Sequence, residues 1–206
     1  MTCVYCFKSV LNQSFPLNNP VLARKCKNVM LMVFTGNGKG KTTAAIGQAI
    51  RALGQGKRVF MIQFIKGLGY PSGEDGVLPG MVSTTGGKLH FEKGGRGFVG
   101  ILGDKLPFEE HRAAALQTLG RAAVAAGSGE YDLVILDEVN VALDLRLLTL
   151  TEVTDFLDSI PSSVDVIFTG RYAHSEVLYR ADLATRCDEL CHPYQQRVTA
   201  KKGVEY

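Results

Sequence analysis

A chain that sets Thr35-Gly36-Asn37-Gly38-Lys39-Gly40-Lys41-Thr42-Thr43 between an apolar run and a helix-forming run has few folds open to it. The run before it, Val29 to Phe34, has strand character, and the run after it, Thr42 to Leu53, has helical character and ends at Gly54 and Gly56. Strand, glycine-rich turn, then Gly-Lys-Thr opening a helix is the context of a phosphate-binding loop. Glycines let backbone N–H groups converge on phosphate oxygens, and the helix start adds unpaired donors and positive dipole. This predicts nucleoside triphosphate binding by the Gly36–Gly40 backbone, Asn37, Lys39, Lys41, Thr42 and Thr43. In this reading Lys41 neutralises the terminal phosphates and the Thr42 hydroxyl ligates Mg2+. One irregularity stands out: Thr35 occupies the place of the usual first glycine, and the glycines fall at Gly36 and Gly38 instead.

The remaining elements alternate as an α/β fold requires. After the helix comes an apolar strand, Arg58 to Phe64, so the first unit is β-α-β with parallel strands and a right-handed crossover. Residues 67–103 hold more than half of the chain's 23 glycines and predict mobile loops around one short strand at Leu89-His90-Phe91. A helix over Glu109–Ala126 has acidic residues in its first turn. A buried strand, Tyr131 to Glu138, follows, and then a helix opened by the capping box Thr149-x-x-Glu152 and stopped by Pro161. Next come a strand over Val164–Thr169, a helix from about Ser175, and a tail, Asp188 to Tyr206, expected to hold a short final strand and an exposed basic end. The expected fold is a three-layer RecA-like P-loop domain over 29–206 with a mostly parallel sheet. Residues 1–28, with Pro16 and Pro20, read as an N-terminal arm.

Composition narrows the partners. A formal charge of +3 on 206 residues, without a dense Lys/Arg tract, gives no case for nucleic acid. No apolar run reaches membrane-spanning length and no secretory leader is evident, which points to the cytoplasm. The five cysteines, Cys3, Cys6, Cys26, Cys187 and Cys191, are odd in number and suit a reducing compartment. A zinc site from Cys3, Cys6, Cys187, Cys191 and His192 lacks the paired tight spacings of such sites, so incidental thiols are the expectation.

Four apolar residues leading to Asp137-Glu138 form a Walker B pattern, in which a parallel strand delivers a carboxylate to the magnesium beside the loop. Arg171, just after another buried strand, sits where it can clamp phosphates, or else is a solvated loop arginine. His90, His111 and His192 carry no metal or dyad spacing and read as surface or packed residues. No water-activating glutamine or arginine motif and no nucleophile–base pair is visible, which fits a reaction whose other reactant is itself the strong nucleophile.

The run Val33 to Ala45 resembles the signature of the P-loop-type corrinoid adenosyltransferases of cobalamin synthesis and salvage. Gln63-Phe64-Ile65-Lys66-Gly67, Leu136-Asp137-Glu138, Thr169-Gly170-Arg171 and Lys202-Gly203-Val204-Glu205-Tyr206 agree in order and spacing, so the resemblance covers Val29 to Tyr206. It implies transfer of the 5′-deoxyadenosyl group of ATP to the cobalt of a cob(I)alamin or related corrinoid, with release of triphosphate. It also implies a flavoprotein reductase as electron donor, a homodimer, and an N-terminal arm over the site, though no residue of 1–28 is placed there. The family packs aromatic side chains beneath the corrin to leave Co(II) four-coordinate and easier to reduce. Its pattern there is Gly-Phe-x-Trp, whereas this chain has Gly97-Phe98-Val99-Gly100 and no tryptophan. Phe98 matches; Gly100 departs. Two rivals remain open, a P-loop ATPase or small-molecule kinase, and a catalytically impaired nucleotide- or corrinoid-binding module.

Overall fold

The computed structural model describes residues 29–67, 69, 71–101, 103–192 and 201–203. The expected arm over 1–28, with Cys3, Cys6 and Cys26, lies outside them, as do most of the tail and Val204 to Tyr206.

Among the described residues six strands form one sheet, all parallel, in the order β3-β2-β4-β5-β1-β6. They are β1 (Leu31–Thr35), β2 (Arg58–Gln63), β3 (Lys88–Lys93), β4 (Leu133–Asp137), β5 (Asp165–Thr169) and β6 (Leu183–Arg186). The helices are α1 (Lys41–Gly54), α2 (Phe108–Gly127), α3 (Val139–Asp144), α4 (Leu150–Ser159) and α5 (Ser175–Arg180). Side chains alternate across each strand, and both faces are covered, so β1 and β4 are buried at every position. On one face Met32, Phe34, Met61, Ile135 and Ile167 pack with Ala45, Ala49 and Leu53 of α1. On the other Val33, Ile62, Leu136 and Phe168 pack with Ala115, Leu119 and Ala122 of α2 and Phe156 of α4. That is the three-layer domain expected. Alanine on the inner side of α2 lets that helix approach the sheet closely.

Three differences from the sequence reading have local causes. The final strand lies at Leu183–Arg186, ahead of the tail expected to hold it, and all four residues are exposed. An edge strand with one neighbour needs no apolar run, so hydropathy does not mark it. The helix α3 was not anticipated: its six residues follow the Walker B carboxylates too closely to display a period. The glycine-rich connection is more ordered than expected. It buries Leu78 against the α1 side, forms a short 3₁₀ turn over Gly73–Gly76, and extends β3 to six residues.

β4 does not neighbour β1, because β5 lies between them. The carboxylate ending β4 therefore reaches the P-loop across the end of β5. On the far side of the sheet Arg112 of α2 joins α4, donating Nη2 to Glu152 Oε1 at 2.8 Å and Nη1 to the Leu147 carbonyl at 2.7 Å. The Arg112 hydrogen bond outweighs partial burial and holds the Glu152 carboxyl below its ordinary value. A carboxyl lowered on folding stabilises above its unfolded value, and that stability is lost as pH falls through the folded value. Arg112→Ala is expected to cost about 1–2 kcal/mol at neutral pH. In urea titrations the deficit should shrink in acid below the carboxylate range of about 4; an equal deficit at both pH values would contradict this.

Candidate nucleotide site at the ends of β1, β4 and β5

The loop from Thr35 to Gly40 turns out of β1 and enters α1 through Gly40, whose φ of 108° is open to glycine and strained for other residues. Among the described residues nothing stands within 4 Å of where a Gly40 side chain would begin, which leaves this corner open to a ligand. Gly36 and Gly38 face the other way. A Cβ on Gly36 would collide with the Cys187 carbonyl, and one on Gly38 would come within 2.6 Å of the Asp188 backbone. The Gly38 N–H donates to the Cys187 carbonyl at 2.8 Å, and the Cys187 N–H donates to the Thr35 carbonyl at 2.8 Å. The displaced glycines thus have a packing cause: the chain leaving β6 lies directly against the loop, and only a bare backbone leaves room for it.

A cleft of about 700 Å³ opens over this loop. Asn37, Gly38, Lys39, Gly40, Lys41, Thr42 and Thr43 line one side. Glu138 and Arg171 enter from the ends of β4 and β5. Of the predicted site residues, Gly36, Asp137 and Phe98 are not in its lining. Gly36 is turned to the β6 exit, Asp137 lies beneath, and Phe98 belongs to the loop after β3.

Asp137 and Glu138, read together as a Walker B pair, are divided by the structure. Asp137 is fully buried, with Oδ1 accepting from Thr42 Oγ1 at 2.8 Å and Thr169 Oγ1 at 2.6 Å, and Oδ2 accepting from Gln63 Nε2 at 2.9 Å. Glu138 takes a left-handed conformation, φ 62°, with its N–H on Thr169 Oγ1 at 2.9 Å. That turn sends the second carboxylate into the cleft while the first stays below it. Burial, then the negative charge of Asp137, pushes the Glu138 carboxyl up to about 7, against the opposing pull of Lys41, Lys66 and Arg171.

Lys41 is 7% exposed and donates Nζ to the Gly38 carbonyl at 2.6 Å, curling back over its own loop. Burial lowers its ammonium below the ordinary lysine value; Glu138 opposes this, and Arg171 adds to it. Lys66 stands on the opposite wall, 3.0 Å from Glu74 Oε1. Burial works to lower Lys66, but Asp137 and the Glu74 bond outweigh it and its ammonium sits above the ordinary value. Lys39, Lys41, Lys66 and Arg171 around one cleft form a cationic basket suited to a polyphosphate.

Sequence reasoning gave no role to Gln63, Lys66, Thr169, Glu189 or His192. Gln63 and Thr169 hold the buried carboxylate, and the other three line the cleft. A polar residue closing an otherwise apolar strand was the available signal for Gln63 and Thr169. Glu189 and His192 carried none, since only the folded chain returns them to the loop.

A model of the family described as ATP:corrinoid adenosyltransferase BtuR/CobO/CobP matches residues 27–206. The corrinoid adenosyltransferase of Escherichia coli strain K12 is 36% identical over 177 residues, covering 86% of this chain and 85% of that protein. The corrinoid adenosyltransferase CobA of Salmonella typhimurium is 35% identical, with 86% of this chain and 85% of its own length covered. That of Pseudomonas aeruginosa is 32% identical, with 86% and 83% covered. The match takes in the loop, the buried aspartate and the arginine after β5, and this chain belongs to the ATP:corrinoid adenosyltransferase family.

Proposed function

We propose that this protein transfers the 5′-deoxyadenosyl group of ATP to the cobalt of a Co(I) corrinoid, releasing triphosphate. The observation that carries the reading is the cleft itself. It surrounds a polyphosphate-sized space with four cationic side chains and a helix N-terminus. A reaction at C5′ needs little else. Co(I) brings the electron pair that forms the Co–C5′ bond, the C5′–O bond breaks, and the triphosphate leaves with its electrons. The protein contributes orientation and charge stabilisation on the leaving group.

In this reading Lys41 and the amides from Asn37 to Thr43 take the terminal phosphates, with Lys39 and Arg171 on the flanks. Thr42 and Glu138 offer hard oxygen donors that suit Mg2+, and Asp137 orients the Thr42 hydroxyl from below. Bound there, Mg2+ would screen charge on the triphosphate. Phe98 is assigned to the corrinoid side. A flavoprotein reductase, a homodimer, residues 1–28 as an arm to a domain over 29–206, and a cytoplasmic setting complete the reading. The reducing setting agrees with free Cys187 and Cys191, and with the persistence of Co(I) only where strong reductants are supplied.

Mixing the protein with Mg-ATP and chemically reduced cob(I)alamin should yield an adenosylated corrinoid and one triphosphate per turnover. Appearance of ADP in its place would identify a kinase or ATPase, and no turnover with retained ATP binding would identify a binding module. Lys41→Ala should lower kcat/KM by about 100-fold or more; unchanged turnover would refute the assignment of Lys41.

The raised Glu138 supplies a pH test. An anion arriving in the cleft favours the protonated, neutral carboxyl, which predominates below about 7. Affinity for metal-free ATP should therefore fall as pH rises through about 7. Glu138→Gln, compared by calorimetry at each pH, should remove that part of the slope beyond ATP's own titration. Identical slopes in the two proteins would exclude Glu138 as the titrating group.

A further inference from the structure

Thr35 stands where a phosphate-binding loop of the usual spacing has its first glycine, and the chemistry of the cleft gives it no task. Its place in the fold supplies one. Thr35 ends β1 and is 8% exposed, and three segments of the chain meet on it. Its backbone leads into the loop ahead of α1. Its carbonyl accepts from the Cys187 N–H at 2.8 Å, at the exit of β6. Its Oγ1 accepts from the Ala173 N–H at 3.2 Å, in the connection after β5. A glycine would keep the first two of these ties and lose the third.

That third tie closes the short segment carrying Arg171. At the other end of the segment the Thr169 hydroxyl donates to Asp137 Oδ1 at 2.6 Å. Between them Gly170 has φ 124° and Tyr172 has φ 58°, so the chain turns left-handed on either side of Arg171. A Cβ on Gly170 would stand 3.0 Å from the Val141 nitrogen and 3.1 Å from the Asn140 Cβ, so the segment is pressed against the start of α3. A tyrosine in the left-handed region costs about 1–3 kcal/mol and persists only where its surroundings fix the backbone. The Ala173 bond, one residue further on, fixes it from the side of the phosphate-binding loop. The guanidinium of Arg171 lines the cleft, and its charge acts on both Lys41 and Glu138. Among the described residues nothing takes a hydrogen bond from it, so the backbone that carries it sets its position.

We propose that Thr35 is a positioning residue for Arg171: its hydroxyl fastens segment 170–173 to the phosphate-binding loop, so that the guanidinium is held toward the polyphosphate of the nucleotide before it arrives. The departure from the usual glycine spacing then has a chemical reason. A threonine at the first position joins the two cationic sides of the cleft, Lys41 on the loop and Arg171 after β5. This deepens the reading of the cleft as the triphosphate site and rests on it. A hydroxyl that only braces the strand end would act whether or not Arg171 is present. One that works through the guanidinium has no effect without it.

The test uses the full chain and Mg-ATP, with affinity read by calorimetry and turnover read with chemically reduced cob(I)alamin. Thr35→Val keeps the branched shape and removes the acceptor. It should weaken ATP binding about fivefold, the equivalent of one hydrogen bond of about 1 kcal/mol. Thr35→Ser should restore affinity to within about twofold. KM for the corrinoid should move less than about twofold in both variants. Thr35→Ala removes the same acceptor with less bulk and stands in if valine is not tolerated. In an Arg171→Ala background, Thr35→Val should add less than about a twofold loss. Unchanged affinity in both Thr35→Val and Thr35→Ala overturns the proposal, and so does an equal loss with and without Arg171. If the unmodified protein releases ADP in place of triphosphate, the adenosyltransferase reading falls, while the coupling of Thr35 to Arg171 is still decided by ATP affinity. If it binds no ATP, both fall.

Discussion

A carboxylate with no solvent at all organises the working end of this molecule. Moving such a group out of water costs several kcal/mol unless its lone pairs find donors, and Asp137 finds them on three neighbours. Gln63 comes from β2, Thr169 from β5 and Thr42 from α1, so one side chain ties together two strand ends, a helix start and its own strand. Breaking any of these bonds leaves a buried charge short of a partner, which makes their relative positions costly to change. The Thr42 hydroxyl is thereby oriented before any ligand arrives. Thr169 serves twice, donating to Asp137 and accepting from the Glu138 N–H, which turns the chain so that adjacent carboxylates face opposite environments.

Around that fixed point the walls of the cleft come from distant parts of the chain. The exit from β6 closes on the P-loop through Cys187 and Asp188, and Lys66 with Glu74 supplies the opposite side from the connection after β2. The loop after β3 departs next to the same wall, since Gly97 is bonded to Ile65. The phosphate cleft and the loop that carries Phe98 thus meet at a short stretch of backbone. That arrangement suits a reaction in which the phosphate end of one substrate must be held while its C5′ is offered to the other.

Much of this was legible in residues close together in the sequence. Val29 to Leu53 announced strand, turn and helix, because a P-loop's function needs those neighbours in that order. The alternating apolar strands announced a sheet covered on both faces. The Thr149–Glu152 box marked the start of α4, and both of its hydrogen bonds are present. The irregular glycines were visible as well, but their cause was not: it lies in the backbone of Cys187 and Asp188, far along the chain. The strand β6 was displaced in the reading because an exposed edge strand leaves no hydropathic trace, and Leu78 inside a glycine-rich connection gave no sign that it anchors one.

Local order and chemistry are thus written in the sequence, since a tight turn, a helix cap or a run of buried strand depends on residues a few positions apart. Family membership follows from the same short segments taken in order. Tertiary structure decided which carboxylate is sealed and which faces the cleft, and what the glycines of the loop make room for. Each of those is set by a close approach between segments remote in sequence, where the distance of one backbone from another determines which side chain can exist.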